Sequence, residues 1–122
     1  MDRQEVFNKV ATHLLTQKSK AQKLVDDEFR AACYYLMEDG RKCAVGCLLP
    51  DGHPGQKLMG TVSNLLWQYP DLAYLWEVDE LNNDVWFLTR LQEIHDSVDV
   101  ENWHYQLTQF ARDQKLEMVE VN

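Results

Sequence analysis

The sequence predicts an α+β fold: a mostly helical single domain, residues 1–122, with about four to five helices packed around one β-hairpin (about 31–37 and 42–49). The hairpin is read from Ala31 to His53, AACYYLMEDGRKCAVGCLLPDGH. There an aromatic, apolar run meets Asp39-Gly40, a second apolar run follows, and Pro50-Asp51-Gly52 ends it. Asp-Gly supplies the positive φ angles of a two-residue turn, which sets Glu38 opposite Arg41, Leu36 opposite Cys43 and Tyr34 opposite Val45. The helices are read from apolar residues recurring at three- and four-residue intervals. The single domain follows from length and composition, since 122 residues of which 45% are hydrophobic suit one core.

Taken in order, Arg3 to Gln17 carries Val6, Phe7, Val10, Ala11, Leu14 and Leu15 on one face, with Asp2 where an N-cap belongs. The basic stretch from Lys18 to Lys23 closes that helix and connects onward, and Asp26, Asp27 and Glu28 lead into the hairpin. A hairpin alone is marginal in water, so this one needs helices beneath it or a third strand beside it. Gln56 to Gln68 is read as a helix bearing Leu58, Met59, Val62, Leu65 and Leu66, stopped by Pro70 because the residue before a proline avoids helical angles. Asp71 caps a short turn over Leu72 to Trp76, and Glu77 to Asn83 reads as loop or a short helix around Val78 to Leu81. Asn83 or Asp84 starts a helix carrying Val85, Phe87, Leu88, Leu91 and Ile94. Asp99 starts another carrying Trp103, Leu107, Phe110 and Ala111. Their short connection through Ser97-Val98 predicts an antiparallel pair. The tail at 117–121 either frays or adds the third strand.

Charge is unevenly spread. Residues 1–60 hold nine Lys or Arg against eight Asp or Glu, and residues 61–122 hold three against twelve, for a net −8. Such a field repels phosphate backbones and anionic membranes and favours encounters with basic protein surfaces, so the expected partner is a basic protein surface, with no direct nucleic-acid or membrane binding. Apolar runs fall far short of the roughly 20 residues of a membrane helix, and the start MDRQEVF lacks the apolar core of a signal peptide. Three cysteines are too few for a disulfide scaffold, and the expected location is cytoplasmic, as a monomer or homodimer.

No motif for catalysis, metal or cofactor binding emerges, so no catalytic residue, metal or cofactor is assigned. Cys43 and Cys47 are one residue too far apart for a zinc knuckle, and in an extended segment their Cα atoms would lie about 13 Å apart at roughly 3.3 Å per residue, unless a helical kink near Gly46 drew them together. Buried thiols more often pack as small hydrophobes. His95-Asp96 looks like a base with its orienting carboxylate, yet neighbours on a helix point about 100° apart. The enzymatic alternative is a small hydrolase or metal-dependent enzyme built from Cys43, Cys47, His53, His95, Asp96 and His104.

Aromatic residues form the other concentration: Trp67, Tyr69, Tyr74, Trp76, Trp86, Phe87, Trp103 and Tyr105 all lie in the acidic half. Most belong in the core, but Trp86 and Phe87 must diverge, and the short segment from Tyr69 to Trp76 leaves rings exposed among carboxylates. Tyr69, Asp71, Tyr74, Trp76, Glu77, Asp79, Glu80 and Asp84 are therefore the candidate partner-binding residues. The hairpin phrase from Cys33-Tyr34-Tyr35 through Gly40-Arg41-Lys42-Cys43-Ala44-Val45-Gly46-Cys47-Leu48-Leu49-Pro50-Asp51 joins Leu91-Gln92-Glu93-Ile94-His95-Asp96 and the Trp103, Leu107, Ala111 helix in one resemblance. Together they resemble a set of small uncharacterised proteins of bacteria and their phages. That resemblance implies one corner made from Cys43, Gly46, Pro50-Asp51 and His95-Asp96, and carries no catalytic residue with it. The functional expectation is a small acidic protein-binding module, in a phage setting a modulator or inhibitor of a host protein.

Overall fold

Asp2 begins the first helix as its sequence position requires. In the computed structural model, which describes residues 1–24 and 31–121, its carboxylate accepts the Glu5 N–H at 3.1 Å. Helix α1 (Arg3–Gln17) ends on Lys18, whose left-handed backbone returns its N–H to the Leu14 carbonyl. Among the described residues four further helices follow: α2 (Val62–Gln68), α3 (Pro70–Leu75), α4 (Asp84–Ser97) and α5 (Trp103–Asp113). Short 3-10 turns at Gly46–Leu48, Pro54–Lys57, Glu80–Asn82 and Val100–Asn102 link them. None of these helices is long and apolar enough to cross a membrane.

Among the described residues the α+β class with its hairpin at 31–37 and 42–49 is not adopted; the fold there is mostly helical. The chain does turn at Asp39-Gly40, but not as the two-residue turn that would set Glu38 opposite Arg41: only Gly40 takes a positive φ, +93°, Met37 N–H donates to the Arg41 carbonyl, and Asp39 accepts the Arg41 N–H. Pairing stops one step later, at an isolated bridge between Leu36 and Lys42. The backbone groups meant for the ladder are taken elsewhere. Val45 N–H donates to the Gln92 side chain at 2.9 Å, Tyr34 N–H to the Ala21 carbonyl at 2.8 Å, and Cys47 N–H to the Cys43 carbonyl, with Leu48 N–H on the Val45 carbonyl opening the 3-10 turn. Residues Ala31–Cys33 instead face Gln22–Leu24 across three residue pairs, too short a ladder to form a sheet layer. The acidic lead-in Asp26-Asp27-Glu28 and the side chain of Cys33 lie outside the described residues.

Two of the other expectations are also corrected. Gln56 to Gln68 is not one helix: Gly60, at φ +121°, breaks it, and Thr61 caps α2 by accepting the Asn64 N–H. The tail at 117–121 forms no strand. It is held by a side chain, because the Gln4 amide donates to the Glu117 carbonyl and accepts the Glu117 N–H, both at 2.9 Å.

Among the described residues, the buried apolar side chains form two clusters. α1, α4 and α5 share Phe7, Val10, Leu14, Phe87, Leu91, Trp103, Leu107 and Phe110, with Phe87 and Phe110 in ring contact at 5.2 Å. The second cluster joins Tyr35, Cys43, Val45, Leu49, Val62, Leu65, Leu72 and Leu88. Cys43-Ala44-Val45 runs between them, Ala44 facing the first and its neighbours the second. Each fully buried Leu or Phe contributes about 1.5–3 kcal/mol relative to exposure, so this central segment is held from both sides.

Candidate functional site

The residues of the enzymatic alternative come together only in part. His95 is fully buried on α4, and the Ala21 N–H donates to its Nε2 at 2.9 Å. With Nε2 accepting, the ring proton sits on Nδ1 and is donated to Asp96 Oδ1 at 2.7 Å. Adjacent helical residues thus do bond side chain to side chain here, contrary to the expectation from helix geometry. Gln92 extends the network: it donates to Asp96 at 3.0 Å and accepts the Val45 N–H, tying the central segment to α4. The Trp103 ring flanks His95 at 5.7 Å. Both imidazole nitrogens are therefore occupied by structural partners.

Cys43 accepts the Gly46 N–H on Sγ, and Cys47 donates from Sγ to the Ala44 carbonyl within the same helical kink. Burial pushes each thiol up to about 12, which leaves almost no thiolate at neutral pH. At pH 8 we expect both to alkylate at least about a hundredfold more slowly than free cysteine until the chain is denatured, as followed by peptide mass spectrometry. Labelling of Cys47 within minutes in the native protein would return it to the list of nucleophiles. His53 is elsewhere, at the turn before Pro54. Its Nδ1 accepts the Gly55 N–H and its Nε2 donates to Asp71 at 2.7 Å, with Tyr69 edge-on at 5.1 Å. His104 is exposed on α5. Among the described residues no three or more His, Cys, Asp or Glu side chains are gathered where they could hold a metal ion.

The acidic, aromatic segment divides differently from its sequence reading. Tyr69 and Asp71 belong to the His53 contact, and Asp84 is wholly buried. Asp84 accepts two bonds from Arg3 at 3.1 Å and the Asp79 N–H at 2.8 Å, so it joins α1 to the start of α4 rather than facing a partner. The exposed members are Asp71, Tyr74, Glu77, Asp79 and Glu80, while Trp76 is half-buried. Asp79 also caps the following 3-10 turn through the Leu81 N–H. Trp86, which diverges from Phe87 as expected, is exposed as well, and so are Leu75 and Leu81, which the aromatic pattern does not point to. Leu81, 98% exposed between Glu80 and Asn82, was detectable as an apolar residue stranded in the polar run from Asp79 to Asp84.

Beside this surface lies a cleft of about 430 Å³ between the first turns of α1 and the end of α3. Val6, Leu48, Leu75, Trp76 and Leu88 supply its apolar lining, and Asp2, Glu5, Glu77, Lys9 and the Met1 ammonium its charged groups. No protein family, no curated protein and no solved structure matches this chain.

Proposed function

We propose that this protein is a small cytoplasmic binding module that engages a basic protein surface through residues 74–86. One observation carries the reading: Tyr74, Leu75, Leu81 and Trp86 are exposed large apolar side chains in a segment that also exposes Glu77, Asp79 and Glu80. Single exposed apolar residues are ordinary on a protein surface, but four within one short segment, interleaved with carboxylates, have the composition of an interface. The apolar groups supply affinity on contact. The carboxylates supply steering and discriminate against acidic partners.

The test is affinity capture from cell lysate at about 50 mM and about 500 mM salt, comparing the wild-type chain with Tyr74→Ser/Leu81→Ser and with Glu77→Gln/Glu80→Gln. All four positions are exposed, so both variants should fold. The wild type should retain a basic protein at low salt, and each variant should retain about tenfold less or lower still. Equal recovery by all three proteins would remove the surface from consideration.

A further inference from the structure

We infer that the cleft between α1 and α3 receives a lysine or arginine side chain together with a neighbouring apolar side chain from a peptide segment of the partner. This inference rests on the binding reading above and specifies how the partner is gripped. Three carboxylates, Asp2, Glu5 and Glu77, line the cleft against Lys9 and the Met1 ammonium, the latter already paired with the buried Asp84 at 4.0 Å. An anionic or neutral guest is therefore disfavoured, and a cationic one is drawn in. Apolar walls from Val6, Leu48, Leu75, Trp76 and Leu88 give nothing to a bare hydrated cation and favour one carried on an aliphatic stem, with an apolar neighbour beside it. Trp76, half-buried in the wall, adds an indole ring of the type that attracts ammonium and guanidinium groups.

The cleft is continuous with the exposed surface. Leu75 lines it and is also 56% exposed, next to Tyr74 and Glu77. A segment lying over Tyr74 and Leu75 can therefore turn a basic side chain into the cleft without leaving the surface. This continuity favours a peptide over a free polyamine. A backbone crossing the surface contributes apolar contact on both sides of the charged group, whereas a polyamine satisfies only the carboxylates.

The experiment is an NMR titration of the full-length ¹⁵N-labelled chain with three probes: a synthetic peptide alternating leucine and lysine, one alternating serine and lysine, and spermidine. We expect the leucine–lysine peptide to shift the Glu5, Lys9 and Glu77 amides and the Trp76 indole, at an affinity at least fivefold above the serine–lysine peptide and spermidine. Glu5→Gln/Glu77→Gln should weaken it at least fivefold, and Tyr74→Ser/Leu81→Ser should leave the cleft shifts visible at higher concentration. Shifts confined to 79–86 and indifferent to Glu5 and Glu77 would overturn the cleft and leave the surface reading standing. Spermidine matching the peptide would overturn it in favour of a small-cation site. Absence of binding by any probe would also overturn it, and the capture experiment would then decide the surface separately.

Discussion

Gly46→Ala is expected to destabilise the protein by at least about 3 kcal/mol, lowering Tm by about 10 °C or more. A Cβ built on Gly46 would lie 2.0 Å from the Tyr35 carbonyl oxygen, 2.7 Å from its carbon and 2.9 Å from its Cα. These are backbone atoms, so no rotamer change relieves the clash; the Tyr34–Tyr35 segment or the central 43–49 segment must move. Each packs into buried clusters that tolerate displacement poorly. The control is Gly40→Ala. Gly40 has φ +93° but nothing within 4 Å of an added Cβ, so only backbone strain of about 1 kcal/mol is expected there. Thermal unfolding by circular dichroism compares the two. A Gly46→Ala protein melting no lower than Gly40→Ala would show that the two segments do not approach so closely.

Arg3→Met is expected to cost about 3–5 kcal/mol, although Arg3 itself is only half-buried. The cost arises from what it leaves behind. Asp84 is fully buried, and the Arg3 guanidinium, 4.9 Å from the Phe87 ring centroid, is its cationic side-chain partner at 3.1 Å. Removing Arg3 leaves the interior carboxylate with the Met1 ammonium, 4.0 Å away, as its remaining cation and takes away both of its 3.1 Å side-chain donors, whereas Arg3→Met with Asp84→Asn removes the charge and keeps the acceptor for the Asp79 N–H. The double variant should therefore recover about half or more of the loss in urea unfolding. If the single and double variants are equally unstable, the pair does not act as a coupled unit.

Both substitutions act at contacts distant in sequence, and these are the contacts that reading the chain could not supply. α1 was legible because its signals are local: Asp2 at the N-cap and an apolar stripe through Phe7, Val10, Ala11 and Leu14 that is buried as expected. α4 and α5 were legible for the same reason, through Phe87, Leu91, Ile94, Trp103 and Leu107. A turn also formed at Asp39-Gly40, but across three residues and in another register, with Met37 facing Arg41 and Leu36 facing Lys42. The hairpin failed because a turn fixes only its own few residues. Whether the ladder continues depends on which acceptors compete for each N–H, and Gln92, Ala21 and Cys43, two of them far along the chain, competed successfully. The candidate surface shows the same division. Composition located an acidic, aromatic region, but folding drew Asp84 inward to Arg3, committed Asp71 to His53, and left Leu75, Leu81 and Trp86 outside.

The stripes of α1, α4 and α5, the Asp2 cap and the charge imbalance between the halves follow from interactions a few residues apart or from simple counting, and the order of amino acids is enough to state them, whereas the caps expected at Asp71, Asn83 and Asp99 make no side-chain bond to their helices. The ionic contact between Arg3 and Asp84, the Ala21 bond to His95, the Gln92 bond to Val45 and the cleft beside α3 arise from groups separated by tens of residues. Their free energy exists only once the two cores have brought those groups within reach, because hydrogen bonds and ion pairs are decided by competition among neighbours that the packed chain itself creates.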